Sequence, residues 1–105
     1  GESPATSEER GQLLNSWRSD PERYVQRIRT AIEALRALPY VDASAIGMTG
    51  YCFGGSGVVF DVFSNSDIQV DVSFHGGISV HPNITTVFPA KPYLTFQSGG
   101  ADESA

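Results

Sequence analysis

The sequence predicts an α/β fold in which helices flank a parallel β-sheet. Helical and extended patterns alternate along the 105 residues, in the order helix, strand, helix, strand, loop, strand. Three predicted strands make a thin sheet, and the two clearly predicted helices are too few to cover both of its faces. We therefore expect one partial domain over residues 1–105, a truncated three-layer α/β/α arrangement. Residues 1–20 would form a loop or short helix, and residues 21–105 would form the core.

Two helical patterns occupy the first part of the chain. Ser7 is a candidate N-cap of a short helix with acidic residues in its first turn. Asp20 and Pro21 give a stronger start signal, because aspartate caps helices and proline suits the first helical position. This second helix ends at Pro39, and its opposite, arginine-rich face is interpreted as solvated. Its apolar residues follow at spacings of three and four: Tyr24, Val25, Ile28, Ala31, Ile32, Leu35 and Leu38.

The predicted strands are short and separated by turn or loop signals. Residues 45–49 form an apolar run without polar alternation, so we expect a central strand that is buried on both faces. A glycine-rich helix is predicted over 54–64. Further strands are predicted over 70–74 and 92–97, joined by a proline-containing loop over 78–91. These strands complete the predicted sheet.

Composition excludes several classes of function. The formal net charge is −5 and Lys91 is the only lysine, so the chain lacks the basic surface of a nucleic-acid-binding protein. No apolar run approaches the roughly 20 residues that span a membrane. One cysteine and two histidines form neither an internal disulfide nor a good metal set. We expect a cytoplasmic protein without metal or cofactor, which binds neither nucleic acid nor membrane.

The hexapeptide G-Y-C-F-G-G over residues 50–55 is the clearest functional signal. It matches the G-x-S-x-G turn between strand and helix, with sulfur in place of oxygen at Cys52. Gly50, Gly54 and Gly55 lack a Cβ, which lets the strand and helix approach closely. The helix N-terminus favours a thiolate, and the Phe53 N–H points to where an oxyanion would form. A buried structural cysteine is the alternative, and the flanking glycines favour a nucleophile.

A thiol nucleophile requires a base, and the base requires an acid that orients it. Asp102 follows the last predicted strand and fits the acid in the order nucleophile, acid, histidine. His75 and His81 both precede Asp102, so we expect them at the surface or lining a pocket. Residues 75–77 resemble an esterase oxyanion motif, but they follow the nucleophile and are interpreted as a strand-end turn.

The segment A-I-G-M-T-G-Y-C-F-G-G resembles the dienelactone hydrolase family of α/β-hydrolases. The preceding helix, the strand over 70–77 and the segment P-Y-L-T-F-Q-S-G-G-A-D are similar to that family too. The resemblance implies a cysteine hydrolase that opens a lactone or ester of a small molecule through a thioester. It places the triad aspartate at Asp102 and the triad histidine after residue 105. We therefore expect residues 1–105 alone to hydrolyse esters negligibly.

Two other hypotheses remain open. The chain could be a catalytically inactive module that forms a homodimer through an uncovered sheet edge and an apolar sheet face. Cys52 could also belong to a redox site or to a site that acts on a glutamine amide, since other α/β folds place a cysteine at such a turn. Mutation of Asp102 in a complete enzyme would discriminate, because only the triad hypothesis requires that carboxylate for hydrolysis.

Overall fold

The computed structural model describes residues 2–78 and 91–100 and contains a three-stranded parallel sheet with helices packed against it. This confirms the predicted α/β class. Strand β1 spans Gly47–Tyr51, β2 spans Val70–Phe74 and β3 spans Tyr93–Gln97, in the spatial order β1-β2-β3. All pairs are parallel, so the strands end at one common edge, where ligands bind in open α/β sheets.

Local signals set the starts of the first two helices. Helix α1, Ser7–Arg18, is capped by Thr6 rather than by Ser7. The Thr6 hydroxyl accepts the Glu9 N–H at 3.1 Å, and the Glu9 carboxylate accepts the Thr6 N–H at 3.2 Å. Helix α2, Pro21–Arg36, begins as predicted, with Asp20 accepting the backbone N–H of its third residue. No helix in the described residues is long and apolar enough to cross a bilayer.

The helices stack outward from the sheet. Helix α3, Phe53–Phe63, packs on β1 and β2, α2 packs on α3, and α1 packs on α2. A core cluster joins Ile32 of α2 to Ile46 and Ile68, at the edge where the strands begin. The buried apolar side chains of α3 are those of Val58, Val59 and Val62. The sequence of α3 is mostly apolar because the helix lies between the sheet and α2.

The prediction that β1 is buried on both faces is wrong for the described residues. The face of the sheet that carries Asp71 and Ser73 is covered by α3, whereas Tyr51 and Tyr93 on the opposite face are 63% and 83% exposed. Tyr51 stacks on Phe74 of the neighbouring strand, with ring centroids 4.6 Å apart. The apolar run over 45–49 therefore reflects one covered face, where Ile46 is buried in the core cluster and Met48 packs against it.

Two carboxyl groups are buried between α3 and β2. Asp61 and Asp71 are both 0% exposed, and their carboxyl oxygens have no hydrogen-bond partner among the described residues. Burial is the main cause that raises the pKa of Asp71 to about 7, and the charge of Asp61 contributes to the same rise. Burial also raises the pKa of Asp61, against the opposing effects of Ser66 and Arg29. Ser66, which is itself buried, lies near Asp61. The folded chain therefore favours protonated carboxyls at these positions.

We expect the free energy of unfolding to fall as the pH rises from about 4 to about 7. The pKa of Asp71 is about 7 in the folded chain and 3.8 in an exposed aspartate. Within this window the folded state holds a proton that the unfolded state has lost. A difference of this size corresponds to a loss of about 4 kcal/mol at most. Urea unfolding at a series of pH values measures it.

Two variants serve as controls for this pH profile. Asp71→Asn should make the fall between pH ~4 and ~7 clearly shallower, because Asp71 no longer titrates and only the contribution of Asp61 remains. Asp42→Asn should keep the fall, because Asp42 is exposed and its hydrogen bonds from Ser44 lower its pKa. A wild-type profile identical in slope to that of Asp71→Asn would contradict the assignment.

Candidate active site

Cys52 is the single residue that connects β1 to α3. Its backbone has φ 54° and ψ −118°, a conformation that is strained for a residue with a side chain. Two hydrogen bonds hold it there: the Cys52 N–H donates to the Phe74 carbonyl at 3.0 Å, and the Cys52 carbonyl accepts from the Ser56 N–H at 3.2 Å. The thiol is free and exposed. The turn thus presents the sulfur at the edge where the parallel strands end.

Two of the glycines around Cys52 are required by close backbone contacts. A Cβ at Gly50 would overlap the Gly54 carbonyl group and lie 2.8 Å from the Gly55 nitrogen. A Cβ at Gly55 would lie 2.8 Å from the Ser73 hydroxyl and 3.0 Å from Gly76. At Gly54, by contrast, a Cβ would meet no atom within 4 Å. The close approach of strand and helix therefore depends on Gly50 and Gly55, and Gly54 is not needed for it.

The turn after β2 braces the start of α3, a role that the sequence did not reveal. A Cβ at Gly76 would overlap the main chain of Gly55. The Ser73 hydroxyl donates to the Gly55 carbonyl at 2.9 Å, and the Gly77 N–H donates to the Ser56 hydroxyl at 2.9 Å. The paired glycines after the strand were the only signal for this contact, because its partners are about 20 residues apart in sequence.

Some of the predicted site residues lie at the edge where the strands end. Others lie outside the described residues. His75 directly follows β2, next to Cys52, and its side chain is exposed. It has a positive φ of 42°, and its N–H donates to the Gln97 carbonyl at 2.7 Å. Asp102 and His81 lie outside the described residues. The segment that leads toward Asp102 leaves β3 at this same edge.

The first turn of α3 offers backbone donors beside the thiol. The N–H groups of Phe53, Gly54 and Gly55 have no acceptor within the helix, because they belong to its first residues. The Cys52 side chain makes no capping hydrogen bond to them. These donors and the positive end of the helix dipole favour negative charge at this position. The Phe53 N–H is the one nearest to Cys52 in the chain.

The described residues contain no group of three or more His, Cys, Asp or Glu side chains that could hold a metal ion. The buried pair Asp61 and Asp71 supplies two carboxyls, in the interface between α3 and β2. An exposed thiol beside the backbone N–H donors of the first turn of α3 is the reactive group of the described site.

Comparison with known proteins identifies one family. The sequence profile described as the dienelactone hydrolase family matches residues 1–105, which is the whole chain. No curated protein and no solved structure matches the chain. The family match confirms the resemblance carried by the hexapeptide over 50–55 and the segments around it.

Substitution by alanine at Gly50 and at Gly54 should have opposite consequences. Gly50→Ala forces a Cβ into the main chain of α3, and we expect a loss of about 1–3 kcal/mol or more in the free energy of unfolding. Gly54→Ala meets open space and replaces glycine within a helix, so we expect a gain of up to about 1 kcal/mol. Urea unfolding of both variants measures the difference. Equal destabilisation would contradict the packing described here.

Proposed function

The chain belongs to the dienelactone hydrolase family, a family of hydrolases, and we propose that Cys52 is the nucleophile that cleaves an ester or lactone. The observation that carries this proposal is the positive φ of Cys52 at the N-terminus of α3, with the thiol exposed at the strand-end edge. Strained backbone persists where surrounding contacts hold it, and it clusters at active sites. A merely structural cysteine needs neither the strain nor the exposure.

The proposed reaction begins with attack of the Cys52 thiolate on the carbonyl carbon of the ester. The carbonyl π electrons move to oxygen, and the oxyanion accepts a hydrogen bond from the Phe53 N–H. Collapse of this intermediate breaks the bond to the alkoxide, which leaves with a proton from a general acid. The resulting thioester reacts with water, which releases the carboxylic acid and restores the thiol. In a lactone the acid and the alcohol remain in one product molecule.

The proposal assigns proton transfer to a histidine that Asp102 orients. Asp102 follows β3, so the order of nucleophile and acid agrees with the α/β-hydrolase triad. That order places the histidine after Asp102, in a segment beyond residue 105 of the intact protein. Without this base, attack by the thiolate fraction still forms the thioester, whereas hydrolysis of the thioester is slow.

We expect p-nitrophenyl acetate to acetylate residues 1–105 once, at Cys52. Release of p-nitrophenolate should stop near one equivalent per chain, because the proposal assigns no residue within 1–105 as the base that activates water for the second step. Intact-protein and peptide mass spectrometry locate the acetyl group, and absorbance follows the release. Cys52→Ala should remain unmodified, and His75→Ala should behave as the wild type because the proposal gives His75 no role.

Two results would contradict this proposal in different ways. A chain without acetylation at Cys52 would favour the inactive module that associates through the exposed face around Tyr51 and Tyr93. Release that continues over many equivalents and disappears in Cys52→Ala would show that residues 1–105 already contain a base. Loss of that continued release in His75→Ala would then identify His75 as the base.

A further inference from the structure

Tyr24 of α2 holds Phe53, the residue whose N–H is the proposed oxyanion donor. The Tyr24 hydroxyl donates to the Phe53 carbonyl at 3.0 Å. The two rings stack with centroids 4.8 Å apart and an interplanar angle of 2°. One side chain therefore contacts both the main chain and the side chain of Phe53.

The surroundings of Tyr24 leave it little freedom. A Cβ at Gly57, one turn into α3, would overlap the Tyr24 hydroxyl and lie 2.7 Å from the ring carbon that carries it. Phe60 meets the Tyr24 ring edge-on at 6.0 Å, and Trp17 lies at 6.2 Å. Burial raises the pKa of Tyr24 above its usual value, so the hydroxyl keeps its proton and remains a donor. Gly57 thus provides the space in which Tyr24 reaches the first turn of α3.

The contact to Phe53 bears on oxyanion stabilisation. Hydrogen-bond donors contribute most to catalysis when their direction is fixed before the reaction. The Phe53 N–H and the Phe53 carbonyl belong to peptide planes on either side of one Cα, so holding the carbonyl and the ring restricts the direction of the N–H. Cys52 fixes the other side through its own hydrogen bonds to Phe74 and Ser56.

We propose that Tyr24 is a positioning residue, which orients the Phe53 N–H toward the substrate oxyanion through the Phe53 carbonyl and ring. This inference rests on the proposed function of Cys52. A purely structural role for Tyr24, in packing α2 on α3, predicts an effect on stability alone. The two roles differ in whether the hydroxyl group affects a reaction that passes through an oxyanion.

Two reactions of the same sulfur separate these roles. Acetylation by p-nitrophenyl acetate passes through an oxyanion, which the Phe53 N–H stabilises. Alkylation by iodoacetamide forms a carbon–sulfur bond and expels iodide from a tetrahedral carbon, without an oxyanion. Both rates depend on the thiolate fraction and on access to Cys52. The ratio of the acetylation rate to the alkylation rate therefore reports the oxyanion donor.

Tyr24→Phe removes the hydroxyl and retains the ring stack. We expect it to lower the acetylation rate about three- to tenfold, less than loss of a whole oxyanion donor, and to leave alkylation within about twofold. Tyr40→Phe is the matched control, because Tyr40 is 82% exposed, and both rates should be unchanged. Gly57→Ala, which displaces the Tyr24 hydroxyl, should lower the same ratio and provides a second test if Tyr24→Phe does not fold.

The outcomes distinguish the inference from the function on which it rests. A wild type that is acetylated at Cys52, with the same rate ratio in Tyr24→Phe or Gly57→Ala, overturns the role of Tyr24 alone. Equal falls in acetylation and alkylation also overturn it, because they indicate altered access to Cys52. A wild type that is alkylated but never acetylated at Cys52 overturns the proposed function and the inference together.

Discussion

Close backbone contact between the start of α3 and the ends of two strands is the constraint on which the site depends. Gly50 of β1 and Gly76 after β2 both lie against the first turn of α3, where a Cβ on either would overlap the helix main chain. The helix begins so near the sheet that one residue, Cys52, makes the whole connection. The strained φ of Cys52 and the exposure of its thiol follow from this short connection.

The two sides of α3 make different contacts below this turn. From the outside, α2 contributes Tyr24, which fixes Phe53 at both its carbonyl and its ring. From the inside, the face of α3 toward the sheet carries Asp61 against Asp71, without hydrogen-bond partners among the described residues. Burial of this pair favours the folded state at low pH, whereas attack by a thiolate is favoured at high pH. The scaffold and the proposed chemistry therefore have opposite pH preferences.

The sequence predicted features that depend on neighbouring residues. Asp20 and Pro21 fixed the start of α2, and the bounds of β2, Val70–Phe74, agree with its prediction. Contacts between distant residues cannot be predicted in this way, because nothing local marks them. The helical spacing indicates a core position for Tyr24 but not its hydrogen bond to Phe53, and the glycines after β2 indicate only a turn and not the contact of Gly76 with α3. The exposed face of β1 was also missed, because an apolar pattern does not show which face is covered. The roles of Cys52 and Asp102 stay predictions.

The central claim is that the Phe53 N–H stabilises an oxyanion formed at Cys52. Amide NMR of two adducts tests it: a trifluoromethyl ketone adds to the sulfur to give a tetrahedral oxyanion, whereas iodoacetamide gives a neutral thioether. The account predicts that the chemical shift of the Phe53 amide proton moves strongly downfield in the ketone adduct and not in the thioether. Only the ketone adduct carries an oxyanion that accepts a charge-assisted hydrogen bond from the Phe53 N–H. A Phe53 amide proton at the same position in both adducts would contradict it.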